Sequence, residues 1–230
     1  MRQLQPDKLV ITMKTWKKVL LITLAVILAL LIALYIWQGE NIRALIKAFM
    51  TDSDALASDM ENLRNDHHAQ IEHDLGITLP VQPVTADQSK DLLDGKKSPE
   101  EVKQEIGAGM TGQGSTKEDL VSQCVAELYA YKADVMGYLG GLKQAAINQW
   151  NALSKSQRTA TKKSEIMMDG VSQCYAYEAV VDGRVQEILD VYRGKMKAIG
   201  EGTAPIDILW NYYCDEKEAE KAYYFDQYLN

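Results

Sequence analysis

Nineteen consecutive residues, Val19 to Trp37, carry no charge and only one clearly polar side chain, Thr23. At about 1.5 Å per residue, a helix of that length reaches roughly 29 Å, the thickness of bilayer hydrocarbon. A soluble core helix is rarely apolar on every side over such a length, so the run reads as a transmembrane helix. Trp16 on one side and Tyr35 and Trp37 on the other mark its ends as an aromatic belt does, and Lys17 and Lys18 fall at the adjoining headgroups. The run is longer than a signal-peptide core, and no small-x-small cleavage site follows it. The expectation is therefore an uncleaved anchor in contact with membrane lipid.

Flanking charge sets the orientation. Arg2, Lys8, Lys14, Lys17 and Lys18 precede the run, and only Arg43 and Lys47 follow it closely. The positive-inside rule then places residues 1–18 in the cytoplasm as a short tail and residues 40–230 outside. The localisation expected is the cell membrane, single-pass, in a bacterial envelope layout. Residues 1–50 hold seven Lys/Arg against two Asp/Glu, a net +5, which leaves −12 for residues 51–230 out of the overall −7. A domain that acidic is a poor partner for nucleic acid, whose phosphates need Lys and Arg.

Beyond residues 19–37, the pattern is helical throughout. Residues 38–79 read as a stalk, with Ile42, Leu45, Ile46 and Phe49 on one helical face and Leu56, Met60 and Leu63 further on. The stalk breaks before Pro80 and Pro83. Residues 80–114 read as a small helical pair followed by a linker. Asp87 to Asp94 forms the first helix, stopped by Gly95. Ser98-Pro99-Glu100-Glu101 starts the second, with Ser98 as cap and Glu101 as capping-box partner. Gly107 to Gly114 has four Gly in eight residues and no apolar period, the mark of a flexible linker and a domain boundary.

Residues 115–230 predict an up-down-up three-helix bundle with a coiled-coil-like seam. Ser115-Thr116-Lys117-Glu118 opens it as a capping box. Val121, Cys124, Leu128, Tyr131, Val135, Tyr138, Leu142 and Ala145 form the first seam, which Gly140-Gly141 softens or kinks. Val171, Cys174, Val181, Val185, Ile188, Tyr192 and Ile199 form the second, after a turn within Ser154–Ser164. A third helix starts at Thr203-Ala204-Pro205. The fold class is all-α. Residues 119–126 and 169–176 match at six of eight positions, a weak sign of duplicated helices.

Few motifs carry chemistry. Cys124, Cys174 and Cys214 form no Cys-x-x-Cys pair. Outside the cytoplasm disulfides form, and counting from the helix starts places Cys124 and Cys214 at one level on parallel helices, which makes them the candidate pair for a disulfide. The alternative is three reduced cysteines packed as small apolar residues. His67, His68 and His73 read as a solvated stalk end rather than a zinc site. Asp215, Glu216, Glu218 and Glu220 read as a solvated face. Trp210, Tyr212, Tyr213, Tyr223, Tyr224, Phe225 and Tyr228 are too evenly spread around one helix for all to face a core. Exposed members of that set mark an interaction surface, and the alternative is a wide core whose hydroxyls reach water.

No nucleophile elbow, phosphate loop or metal spacing is present, so no enzyme, catalytic residue, metal or cofactor is expected. The function expected is a membrane-anchored extracytoplasmic helical module, structural or interacting with a protein partner or with itself. An accessory subunit of a larger membrane complex is the alternative, and an envelope enzyme acting on glycan a more distant one.

Overall fold

A computed structural model describes residues 52–109 and 114–229, the side chains of 225–229 excepted. The anchor expected at residues 19–37 lies outside them, with Trp16, Lys17, Lys18, Tyr35 and Trp37, as does the first stalk face of Ile42, Leu45, Ile46 and Phe49. Among the described residues no helix is long and apolar enough to cross a membrane. These residues form six helices and no strand, so this part of the chain is all-α: α1 Ser53–Leu75, α2 Ala86–Leu93, α3 Pro99–Glu105, α4 Lys117–Ala152, α5 Ala160–Ala198 and α6 Ala204–Leu229.

Local chemistry places the ends. The Asp52 carboxylate caps α1, and Gly76 stops it in the left-handed region at φ 63°. Reciprocal capping boxes start α2, at Thr85 and Gln88, and α3, at Ser98 and Glu101. The box that opens α4 is Thr116 with Asp119, one residue later than Ser115 with Glu118. Asp119 Oδ2 accepts from the Thr116 amide at 3.1 Å, and Thr116 Oγ1 accepts from the Asp119 amide at 3.2 Å.

The three long helices run up, down and up. Tyr192 of α5 donates to Glu127 of α4 at 3.2 Å, while further along Tyr177 stacks on Tyr138. Arg193 of α5 meets Asp207 of α6 at 2.7 Å, and Lys221 of α6 meets Glu178 at 2.9 Å. The stalk helix does not stand apart. α1 lies antiparallel to α6, with Arg64 against Glu220 and His67 against Glu216. It buries Leu56, Met60, Arg64, His68 and Ile71, a stripe stepping by four, four, four and three.

The helical pair closes over α4. A Cβ on Gly140 would stand 2.4 Å from the Leu92 carbonyl oxygen, and one on Gly137 2.6 Å from the Pro99 ring. Gly140 is thus a site of close approach rather than a kink. With neighbours on two sides, α4 buries more than the expected seam: Leu120, Tyr129, Ala133 and Met136 are buried as well, while Tyr138 of the seam is exposed. Leu79, Val81, Val84, Leu92, Leu93, Val102 and Ile106 join the same core as Val121, Val185, Ile188 and Ile206. Stalk, helical pair and bundle therefore share one hydrophobic core across the Gly-rich linker, of which residues 110–113 lie outside the described set.

Candidate functional site

The stripe that α1 presents to the bundle is apolar at its ends and charged in its middle. Arg64, fully buried, donates to the Val84 carbonyl oxygen, to Glu220 Oε1 and to Ser89 Oγ at 3.4 Å. Lys132 of α4 reaches Glu216 at 3.2 Å and Glu220 at 2.9 Å. His67 stacks on Tyr212 with ring centroids 4.2 Å apart, and its Nδ1–H donates to Glu216 Oε1 at 3.4 Å. His68 lies 3.4 Å from the Tyr129 hydroxyl and 3.7 Å from Glu72. Two cations thus face two carboxylates in one layer joining α1, α4 and α6.

This layer revises two readings. His67 and His68 are packed between helices, and only His73 stands in solvent. Of the acidic run, Glu216 and Glu220, four apart, turn inward, while Asp215 and Glu218 stay exposed. Burial alone would raise the Glu216 carboxyl. Lys132, the His67 hydrogen bond and Arg64 outweigh it and hold that group at about 2. Burial likewise opposes the Glu220 carboxylate, yet Arg64 and Lys132 bring it below its ordinary value. Burial lowers His68 against the pull of Glu72 and Glu216, which keeps its imidazole neutral at neutral pH.

A second layer ties α5 to α6. Lys217 lies 2.9 Å from Asp182 and 3.2 Å from Glu178, and the Tyr213 hydroxyl donates to Asp182. Between the two layers lies a cavity of about 170 Å³. Val125, Leu128, Val135, Leu139, Val181 and Val185 line it with seven tyrosines, and Lys132, Lys217 and Lys221 face Glu178, Glu216 and Glu220 around it. An apolar void of about 150 Å³ holds a benzene-sized molecule, so this one has room for a single small apolar group.

The C-terminal aromatics are mostly consumed by this architecture. Tyr223 and Tyr224 are buried, and the Tyr224 hydroxyl donates to the Leu139 carbonyl oxygen at 3.1 Å. Tyr212 and Tyr213 are half-buried in the contacts above, and Trp210 lies 5.3 Å from the Tyr213 ring. This is the wide core with polar tips. The side chains of Phe225 and Tyr228 lie outside the described residues.

No disulfide links Cys124, Cys174 and Cys214. The helix pairings explain why Cys124 and Cys214 are not joined. Arg193 with Asp207 and Glu178 with Lys221 bring Cys214 near residue 185 of α5. Tyr192 with Glu127 and Tyr177 with Tyr138 bring Cys124 near residue 193. The two levels differ by about eight residues, on the order of 12 Å, whereas a disulfide needs Cα atoms within about 7 Å. Burial pushes the Cys124 and Cys174 thiols up, so neither is a thiolate at neutral pH. The echoed segments also differ in setting: Cys124 is buried near the start of α4, Cys174 half-buried within α5 and bonded to the Tyr224 hydroxyl at 3.6 Å.

Charged residues ordinarily face solvent, and that default hides the inward charges in the sequence. Their signal was spacing: Leu56, Met60 and Ile71 project a stripe straight through positions 64 and 68. The class defined by fold and site is a helical bundle whose ionic layers are internally neutralised around an apolar cavity. The sequence matches no protein-family model, no curated protein and no solved structure.

Proposed function

We propose that this chain is a membrane-tethered helical module that works by contact, not catalysis, on the extracytoplasmic side of a cell membrane. The uncharged run Val19–Trp37, with five Lys/Arg before it, carries the reading. The helical part supports it: the buried carboxylates are matched by Lys132, Arg64 and Lys217, and the two buried or half-buried thiols of α4 and α5 are protonated, so the groups available for chemistry are already used in joining helices. A folded body tethered in this way presents its surfaces close to the bilayer. Its partner is a protein or a second copy.

The test is topological. A cysteine replacing Gly109, which is exposed with open space around it, is placed in a chain whose Cys174 and Cys214 are serine. It should react with a membrane-impermeant thiol reagent on intact cells. Reaction only after lysis would put the bundle in the cytoplasm, and release of the chain from membranes by alkaline carbonate would remove the anchor.

A further inference from the structure

We propose that the tip of the α4–α5 hairpin is a membrane-docking surface that rests on the anionic headgroups of the bilayer holding the chain's own anchor. The inference builds on the Val19–Trp37 anchor of the proposed function.

Charge is the first observation. No carboxylate occurs between Asp134 and Glu165, in a region that is otherwise strongly acidic. Lys155, Arg158, Lys162 and Lys163 are all exposed there. Glu165 pairs with Lys162 at 2.9 Å, and among the described residues Lys155 and Lys163 face no carboxylate. Arg158 donates to the carbonyl oxygens of Leu153 at 3.2 Å and Asn151 at 2.9 Å, which fixes the turn and leaves its charge without a carboxylate among the described residues. The tip is therefore a rigid cationic point.

Position is the second observation. His68 faces Tyr129 and Arg64 faces Glu220, so Ser53, where α1 begins, comes level with about residue 144 of α4. The hairpin runs on past that level by about two turns, on the order of 10 Å. Asp52 and Asp54, at the start of α1, stand back by the same distance. The chain enters α1 from the anchor, so this end of the bundle is the one nearer the bilayer. Fifteen residues, 38–52, connect them. They reach about 22 Å if helical and about 50 Å if extended. Either length lets the basic tip touch the headgroups, while the Gly200 turn at the other end stays away. Trp150, half-buried, lies just behind the cations beside the exposed Ile147, and Trp is a residue type enriched at membrane interfaces.

The full chain is reconstituted in vesicles of phosphatidylcholine with and without phosphatidylglycerol, each carrying a nitroxide-headgroup lipid. Retention after alkaline carbonate is checked first. A fluorophore is placed at Ser156→Cys or, as control, at Glu201→Cys, in the chain lacking Cys174 and Cys214. Each cation near an anionic surface should raise the docked population about fivefold. The Ser156 site should be quenched in the anionic vesicles and far less in the neutral ones. Raised salt or the fourfold replacement K155Q/R158Q/K162Q/K163Q should remove the difference, and the Glu201 site should stay dark to the quencher throughout. A retained chain with no quenching at Ser156 overturns docking and leaves the anchor standing. Equal quenching in both lipids, or quenching that survives the fourfold replacement, also overturns it. Displacement by a soluble acidic polypeptide at a salt concentration where the lipid contact holds would assign the tip to a protein partner instead. Extraction by carbonate overturns the anchor and docking together.

Discussion

Replacing Arg64 with methionine tests whether the first described helix belongs to the bundle or stands free of it. Methionine keeps much of the apolar stem and removes the charge and the donors. The loss can be read from the contacts. Glu220 keeps Lys132 at 2.9 Å, so its charge is not left alone. Removing one member of a buried pair costs about 3–5 kcal/mol, and the remaining lysine puts this case near the lower end. The Val84 carbonyl and the buried Ser89 hydroxyl also lose a donor, which adds on the order of 1 kcal/mol. The expected loss is about 3–5 kcal/mol. For a folded unit of this size that lowers the melting temperature by roughly 6–20 °C. Denaturant unfolding of the full chain in detergent, followed by circular dichroism, measures it. The double replacement R64M/E220Q should cost less than the two single ones together, because the pair interacts. An exposed ion pair on a free stalk is worth about 1 kcal/mol or less. A loss of that size, with additive single replacements, would refute the docking of α1.

Stability should fall steadily as the solution is acidified. Glu216 is held at about 2 against an ordinary 4.5, so its contribution is complete above 4.5 and is lost as pH falls toward 2. His68 is lowered from 6.5, so the unfolded chain takes up that proton first and stability begins to drop just below pH 6.5. Urea midpoints across this range should show both limbs, His68→Gln should remove the upper one, and a rise on acidification would contradict the burial of these groups. The glycine pair of α4 should split in sign. Gly140→Ala drives a Cβ against the Leu92 carbonyl oxygen and should destabilise by about 1–3 kcal/mol. Gly141→Ala meets nothing within 4 Å and should stabilise by about 0.5–1 kcal/mol through helix propensity. Equal effects at both positions in thermal unfolding would place the α2–α4 contact elsewhere.

Local punctuation was legible in the sequence because it acts over a few residues. Ser98-Pro99-x-Glu101, the Gly95 and Gly200 stops and the polar turn after Ala152 all do in the structure what their side chains dictate. The second seam was legible at Val181, Val185, Ile188 and Tyr192 for the same reason of simple apolar period. The association of α1 with α6 was not, because the groups that join them are Arg64, His67, Glu216 and Glu220, types that usually mark a wet face. The close approach at Gly140 was equally hidden: a glycine in a helix looks like a weak point until another backbone is seen against it. The cysteine levels failed by an accumulated stagger. Caps encode each helix start to within a residue or two, but the axial offset between α4 and α6 follows from packing and not from either sequence segment.

The ionic layer has a consequence for register. An α1 held to α6 only by its apolar stripe could slip by four residues and still bury an apolar residue at most levels, since Leu56, Met60 and position 64 repeat at that interval. With the layer in place a slip toward Tyr224 would bring His68 against Glu220 and leave Arg64 buried without a carboxylate, and the opposite slip would set Met60 against Glu220 and Arg64 against Glu216, costing Glu220 its guanidinium partner. That penalty, several kcal/mol for an unpaired buried charge, selects one register even if an all-apolar stripe would be as stable. Register matters here because it decides the height at which Ser53, and with it the chain that precedes α1, leaves the bundle relative to the Lys155–Lys163 tip. We predict that spin labels at Ser53→Cys and Ser156→Cys report one narrow distance distribution in the native layer. In the replacement R64M/K132M/E216L/E220L the chain should remain helical while that distribution broadens or gains a second component offset by about 6 Å, one helical turn. A single unchanged distance in the apolar variant would mean that packing alone fixes the register, and that the buried charges serve something other than alignment.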